Sequence, residues 1–439
     1  MTSLNPLALL VVFIMSILAI VLRRENAFIP LAITAVYITM AQKVIIASID
    51  FTLLRVLIII YFFRLIVFDR ENSTFPFSKI DFFMFAWAIS SIITYTILWG
   101  TFSRFVYKAG ILYDSLGAYI IGRCLIRDID DFERIVKAIV IILIPLAGAM
   151  MLEKMTGKNV FHFLGGVPEY AIIRDGKIRC QGSFRHPILT GTFAATTVPM
   201  IISLWWFDSR LRKYVIIGTA CAAVICVATA SSGPLMSLSA GLGAMVFWRF
   251  RRYLCATRWT IFVSIFVLHF FVMKSPVWHL IGRLSNVIGG GGWHRAYLID
   301  QAVKYFSDWW LVGVKVTGHW MPTQLAYDPT RADITNHFIA QGVDGGLITM
   351  VLFIMICIHG FKGVGKGLHE AEEYPFYMRI GIWSMGATLF SHIVTFTSVS
   401  YFDQITVFWY MLFAFIAAIQ YGPLLGSGEK LRSGRTATG

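Results

Sequence analysis

Uninterrupted apolar runs recur along almost the whole chain, and this repetition limits its fold more than any other feature. A run of about 20 apolar residues crosses the hydrocarbon core of a bilayer as an α-helix. Lipid offers no water to a bare backbone, so such runs must satisfy their own hydrogen bonds as helices. They fall near 4–22, 28–47, 51–68, 80–99, 107–126, 135–152, 187–206, 213–230, 234–249, 259–274, 337–361, 379–398 and 404–422. The pattern predicts an all-α, polytopic transmembrane helix bundle of about 12–13 spans. Segment 107–126 is the weakest, since Lys108 and Asp114 interrupt it, and it is open to lying partly at the interface. Composition agrees: 57% of residues are hydrophobic and 14% charged, where a soluble domain carries about a quarter charged. The first run lacks a basic start and a small-residue cleavage pattern, and Arg23-Arg24 follow it directly, so it reads as an anchor.

Orientation follows from the cations in the connections. Arg23-Arg24, Arg64/Arg70/Lys79, Arg123/Arg127/Arg134/Lys137, Arg210/Arg212/Lys213, Arg249/Arg251/Arg252/Arg258, Lys362/Lys366/Arg379 and the tail cations fall in one set of connections. The short connections of the other set hold only Lys43, Arg104 and Lys108. The expected organisation is therefore N-terminal helices over 1–152, a first external loop at 153–186, and central helices over 187–274. A large external loop at 275–336, C-terminal helices over 337–422 and a cytoplasmic tail at 423–439 complete it. The N-terminus is expected outside and the C-terminus in the cytoplasm.

A formal charge of +14 invites a nucleic-acid reading, but the basic residues punctuate helices instead of forming a stripe, so no nucleic acid is expected as a partner. Cys221, Cys226 and Cys357 lie in apolar runs, Cys124 and Cys255 at the ends of others, and Cys180 alone falls in a large loop, so no disulfide is expected. Asp128-Ile129-Asp130 has a metal-compatible spacing but occupies a short cytoplasmic connection, where a solvated loop is the simpler reading. His319, His359 and His369 lack ligand spacing, no nucleotide fingerprint occurs in a usable context, and neither a metal nor a cofactor is expected.

The external loops hold the candidate site residues. The larger one contains Gly289-Gly290-Gly291-Gly292, with no side chains to fix it and therefore expected to be mobile. After it, Trp293 to Tyr305 reads as a helix, with Arg295, Leu298, Ile299, Ala302 and Phe306 on one face and His294, Tyr297, Asp300, Gln301 and Lys304 on the other. Arg295 thus points with the apolar stripe, as a salt-bridged or snorkelling residue or as the ligand of an anion. Thr335 or Asn336 suits the N-cap of the next span. His337 then falls in its first turn at the membrane edge, where a neutral imidazole can accept a proton from a hydroxyl or simply sit at the interface. The smaller loop closes with Arg174, Lys177, Arg179 and then Arg185-His186-Pro187, with Pro187 opening a helix. Arg185 is placed to meet a phosphate at the membrane surface or to anchor there.

The order of features over roughly 180 to 400 resembles the O-antigen ligase/polymerase superfamily. The features are Gly182-Ser183-Phe184-Arg185-His186-Pro187, Ala230-Ser231-Ser232-Gly233-Pro234, two helices, a long loop with Arg295 and Gly313, and Asn336-His337-Phe338 before Gly342-x-x-Gly345-Gly346-Leu347. The resemblance implies a GT-C-like, metal-independent, inverting glycosyltransferase of the bacterial inner membrane. Its donor would be an undecaprenyl-diphosphate-linked glycan and its acceptor a glycan or lipid A-core, with membrane lipids around it. It implies His337 as catalytic base and Arg185, Arg295, Arg179, His186 and Asn336 as substrate-binding residues. Many members have Ser-Arg-Gly where Ser231-Ser232-Gly233 stands, so one phosphate cation is missing; either Arg185 or Arg179 replaces it or the phosphate contact differs. Polymerase and ligase share a donor and are not separated here. The rival reading is a transporter or flippase, which normally carries midplane ionisable groups in paired halves; a non-catalytic scaffold leaves an inward-facing Arg295 without purpose.

Overall fold

Cap chemistry sets where the helices start. Asn5, Thr52, Ser78, Asp128, His186 and Asn336 each accept hydrogen bonds from backbone N–H groups that a first turn leaves unpaired. The computed structural model describes residues 4–46, 49–70, 74–281, 283, 292–322 and 330–420. It is 76% helical with almost no sheet, as an all-α membrane bundle requires. Residues 289–291 of the glycine run and the tail 423–439 lie outside the described residues.

The helices are α1 (Pro6–Val21), α2 (Phe28–Tyr37), α3 (Leu53–Val67), α4 (Lys79–Trp99), α5 (Phe102–Leu125), α6 (Ile129–Thr156) and α7 (Pro187–Ser203). They continue with α8 (Arg212–Ala228), α9 (Ser232–Val246), α10 (Leu254–Val267), α11 (Gly292–Lys304), α12 (His337–Glu370), α13 (Phe376–Phe396) and α14 (Ile405–Ile419). Two antiparallel hairpins interrupt them, β1 (Lys43–Ile46) with β2 (Ile49–Thr52), and β3 (Ile172–Arg174) with β4 (Lys177–Arg179). Among the described residues, six helical stretches are long and apolar enough to cross a membrane: Lys79–Trp99, Ile129–Thr156, Pro187–Trp206, Ser209–Ala228, Ser232–Val272 and His337–Glu370. Pro6–Val21 and Ile405–Ile419 are shorter apolar helices.

One expected span needs correction. The run 28–47 is not one helix: α2 ends at Tyr37, and the β-branched Val44-Ile45-Ile46 pairs with Ile49–Thr52, closed by Lys43 and Asp50. Ten helical residues reach about 15 Å, half of the hydrocarbon thickness. The runs 234–249 and 259–274 correspond to α9 and α10, joined by a 3-10 segment at Phe247–Tyr253. α10 buries none of its residues, and Phe262, Phe266 and Val267 remain exposed, as suits a helix whose solvent is lipid.

Nearly every residue of α14 is buried, and α7 is almost as enclosed, so these two helices form the axis of the bundle. α5 packs on α14 and α4, α12 on α4 and α13, and α13 on α7 and α9. The weak segment 107–126 is helix throughout, and its ionisable groups turn inward. Asp114 takes two hydrogen bonds from Arg55 Nε, at 3.0 and 3.1 Å, and a third from its Nη2 at 2.9 Å. Arg123 and Tyr119 donate to Asp81, which also closes the capping box of α4. A charge in an apolar helix costs least when such a partner meets it.

α12 breaks at Gly346, whose φ of 77° admits no ordinary side chain. The chain after α11 fills the break: Leu347 N donates to Trp310 O at 2.7 Å and Val314 N to Val343 O at 2.9 Å. A Cβ on Gly346 would stand 2.3 Å from Leu311 O, and one on Gly313 2.3 Å from Val343 O, so both close approaches require glycine. This joint fixes the large loop against the first half of α12.

Candidate active site

The ends of α7, α12 and α14 that adjoin the two long loops gather most of the expected site residues. β3 and β4 turn through Asp175 and Gly176, both at positive φ, and so deliver Arg179 to the end of α8. Its Nη2 donates to Ser231 Oγ at 2.7 Å, while its buried Nε has no acceptor among the described residues. Burial first, then Arg174 nearby, lowers the guanidinium below its ordinary range. Arg179 therefore lies against the Ser231-Ser232-Gly233 turn, where the sequence lacks a cation.

Arg185 follows on the same loop, three-quarters exposed, with Nη1 3.8 Å from Asp403 Oδ2. His186 is the N-cap of α7: its Nδ1 accepts from Ile188 N at 3.2 Å, leaving Nε2 as its free ring atom. Burial, then the positive charge of Arg179, pushes His186 down to about 4, so it is neutral at ordinary pH. Asp333 also acts electrostatically on it.

Loop 333–336 is pinned from two sides, by Ser400 Oγ donating to Ile334 O at 2.6 Å and by His294 Nε2, 3.2 Å from Asp333 O. Arg295, beside His294, lies with buried Leu298 and Ala302, has no carboxylate in salt-bridge range among the described residues, and is lowered by burial. The expected faces of this helix shift slightly: Gln301 is buried and Phe306 is exposed. Asn336, not Thr335, is the cap of α12, its Oδ1 accepting from Phe338 N and Ile339 N at 3.0 and 3.2 Å. Only its amide N–H groups are left for a substrate.

His337 differs from the imidazole expected at an open membrane edge. It is 6% exposed and packed among Phe353, Phe396 and Tyr401. Its Nδ1 accepts from Tyr401 N at 3.2 Å, so the neutral ring carries its proton on Nε2. Nε2 faces the amide of Gln341 at 3.4 Å, and Trp87 Nε1 holds the amide oxygen at 2.9 Å. In this state the ring offers a donor where a base needs a lone pair.

Asp403 supplies what His337 lacks, and sequence reasoning missed it. It stands two residues after Tyr401 in the turn between α13 and α14, at a φ of 57° that few side chains adopt. Its Oδ2 is buried, receives no hydrogen bond among the described residues, and faces exposed Arg185. Burial raises its carboxyl, and Arg185 opposes the rise. An acidic residue in the eight-residue connection between α13 and α14 was the only available signal.

The arrangement sets exposed Arg185 beside the Asp403 carboxylate, with Arg179 on the Ser231 turn and Arg295 on the helix of the large loop. Such a set can hold a polyanion and take a proton from a hydroxyl. No protein family model matches the chain, and no curated protein matches it.

Proposed function

We propose that the chain is a membrane glycosyltransferase that moves a glycan from an undecaprenyl-diphosphate carrier to a sugar hydroxyl, as O-antigen polymerases and ligases do. The observation that carries the reading is the pairing of exposed Arg185 with the buried Asp403 carboxylate, with Arg179 held on the Ser231 turn and His337 on the Tyr401 N–H two residues before Asp403. A lipid diphosphate is the anion that suits guanidinium groups at the end of an apolar bundle, its tail lying among helices and its glycan among the loops. With the cation order of the connections, the reading puts this end outside the cytoplasm, in a GT-C-like bundle of the bacterial inner membrane.

In the step, the acceptor hydroxyl oxygen bonds to the anomeric carbon as the bond from that carbon to the phosphate oxygen breaks, inverting configuration. The hydroxyl proton passes to Asp403, and the diphosphate leaves with its charge on the arginines. Arg179 stands in for the cation that Ser232 does not supply. His337 holds the 401–403 turn through Nδ1. It serves as base only by releasing the Tyr401 N–H, which Asp403 does not require.

Asp403→Asn is expected to lower turnover by roughly 10²–10⁴ while donor binding persists. His337→Gln keeps an acceptor for the Tyr401 N–H and is expected to retain the larger part of turnover. The opposite ranking returns the proton to His337.

A further inference from the structure

A second cationic cluster lies beyond His337, between the outer turn of α4, the start of α5 and the large loop. Three cations surround the ring of Trp99: Arg104 at 4.3 Å from its centroid, Arg331 at 5.6 Å and Lys315 at 5.8 Å. Lys108 lies 5.0 Å over Tyr95, whose ring is 6.0 Å from that of Trp99. Asp344, 3.5 Å from Arg331, is the carboxylate of the group. Among the described residues, Arg104, Lys108 and Lys315 have no carboxylate in salt-bridge range. Lys108 is only 7% exposed, and the buried indole N–H of Trp99 meets no acceptor.

A buried ammonium whose nearest carboxylate, Asp344, lies beyond salt-bridge range is costly unless a further anion meets it. Cations alone would suit any anion, but here they frame the half-buried ring of Trp99, against which the C–H side of a sugar ring can lie. The cluster is also continuous with the site. His337, Gln341 and Asp344 follow one face of α12, and Lys108 acts electrostatically on both His337 and Asp344.

We infer that this cluster is the acceptor subsite, and that it selects a glycan bearing negative charge, a uronic acid or another acidic sugar. Its place in the reaction rests on the glycosyltransferase reading, whereas its affinity for an acidic sugar does not. Trp99 would carry the ring, Asp344 its hydroxyls, and Lys108 with Arg104 its carboxylate. An anionic phospholipid headgroup shares the charge but not the ring, so the test separates the two.

The purified full chain in phosphatidylcholine nanodiscs is titrated calorimetrically with trigalacturonic acid, with neutral maltotriose and with glycerol 3-phosphate. The expected result is binding of trigalacturonate at least roughly tenfold tighter than either of the others, since one charge-assisted hydrogen bond is worth about that factor. Lys108→Gln should weaken it by roughly tenfold or more. Should that variant not fold, the exposed Arg104→Gln and Lys315→Gln pair gives the same reading. Failure of trigalacturonate to bind, parity with maltotriose, indifference to the variants, or tighter binding of glycerol 3-phosphate overturns the proposal. Intact trigalacturonate binding without glycan transfer would remove the glycosyltransferase reading and leave the acidic-sugar site standing. Transfer without such binding would remove the subsite alone.

Discussion

Replacing Asp81 by Asn tests whether α5 belongs inside the bundle. Asp81 is fully buried. Its Oδ1 accepts from Tyr119 Oη at 2.6 Å and Arg123 Nε at 3.1 Å, and its Oδ2 from Ser78 N at 2.6 Å and Arg123 Nη2 at 3.3 Å. The amide preserves shape but leaves the Arg123 guanidinium, 2% exposed, without a counter-charge. Breaking a buried pair from one side costs about 3–5 kcal/mol. Arg123 keeps the Pro76 carbonyl at 2.6 Å and the face of Phe75, which places the loss near the lower end, about 3 kcal/mol. In a detergent-solubilised thermal melt this amounts to a fall of about 3 °C. Asp81→Asn with Arg123→Met removes both charges and should recover most of it, because an apolar pair in place of a buried ion pair is often neutral. A single variant melting within about one degree of wild type, or a double variant worse than the single, refutes the reasoning.

Two further predictions concern stability. His186 is held neutral in the fold, down to about 4 against an ordinary 6.5, so the unfolded chain binds the extra proton first and stability is lost as pH falls between those values. His186→Asn keeps a cap for α7 and should show a shallower loss over that window in melts at pH 7 and pH 4.5; equal slopes contradict the assignment. Gly313→Ala places a methyl 2.3 Å from Val343 O at a φ of 96°, so it should destabilise by more than about 1 kcal/mol and loosen loop 310–314 in hydrogen exchange. Unchanged exchange there would show that the joint is not tight.

What the sequence disclosed was local. Run length announced most of the helices, the Asn336 cap and Pro187 start followed from first-turn chemistry, and the spacing of Arg295, Leu298 and Ala302 placed them on one face. The errors arose where distant partners decide. Lys108 and Asp114 made α5 look interfacial because Arg55, which meets Asp114, lies 59 residues away. Val44-Ile45-Ile46 suits a strand as well as a span, and the hairpin partner settles it. Asp403 and the backbone N–H of Tyr401 reach the site only through the packing of loops, so neither their role nor the tautomer of His337 was legible from spacing.

The central claim is tested most directly by incubating the purified chain with undecaprenyl-diphosphate-linked oligosaccharide and an acceptor glycan, following released undecaprenyl diphosphate and product size together. The account predicts release coupled to a longer or newly attached glycan, greatly reduced in Asp403→Asn and in Arg179→Gln. Vectorial movement of the intact lipid-linked glycan across a vesicle membrane, without release of the carrier, would contradict it and return the chain to the transporters.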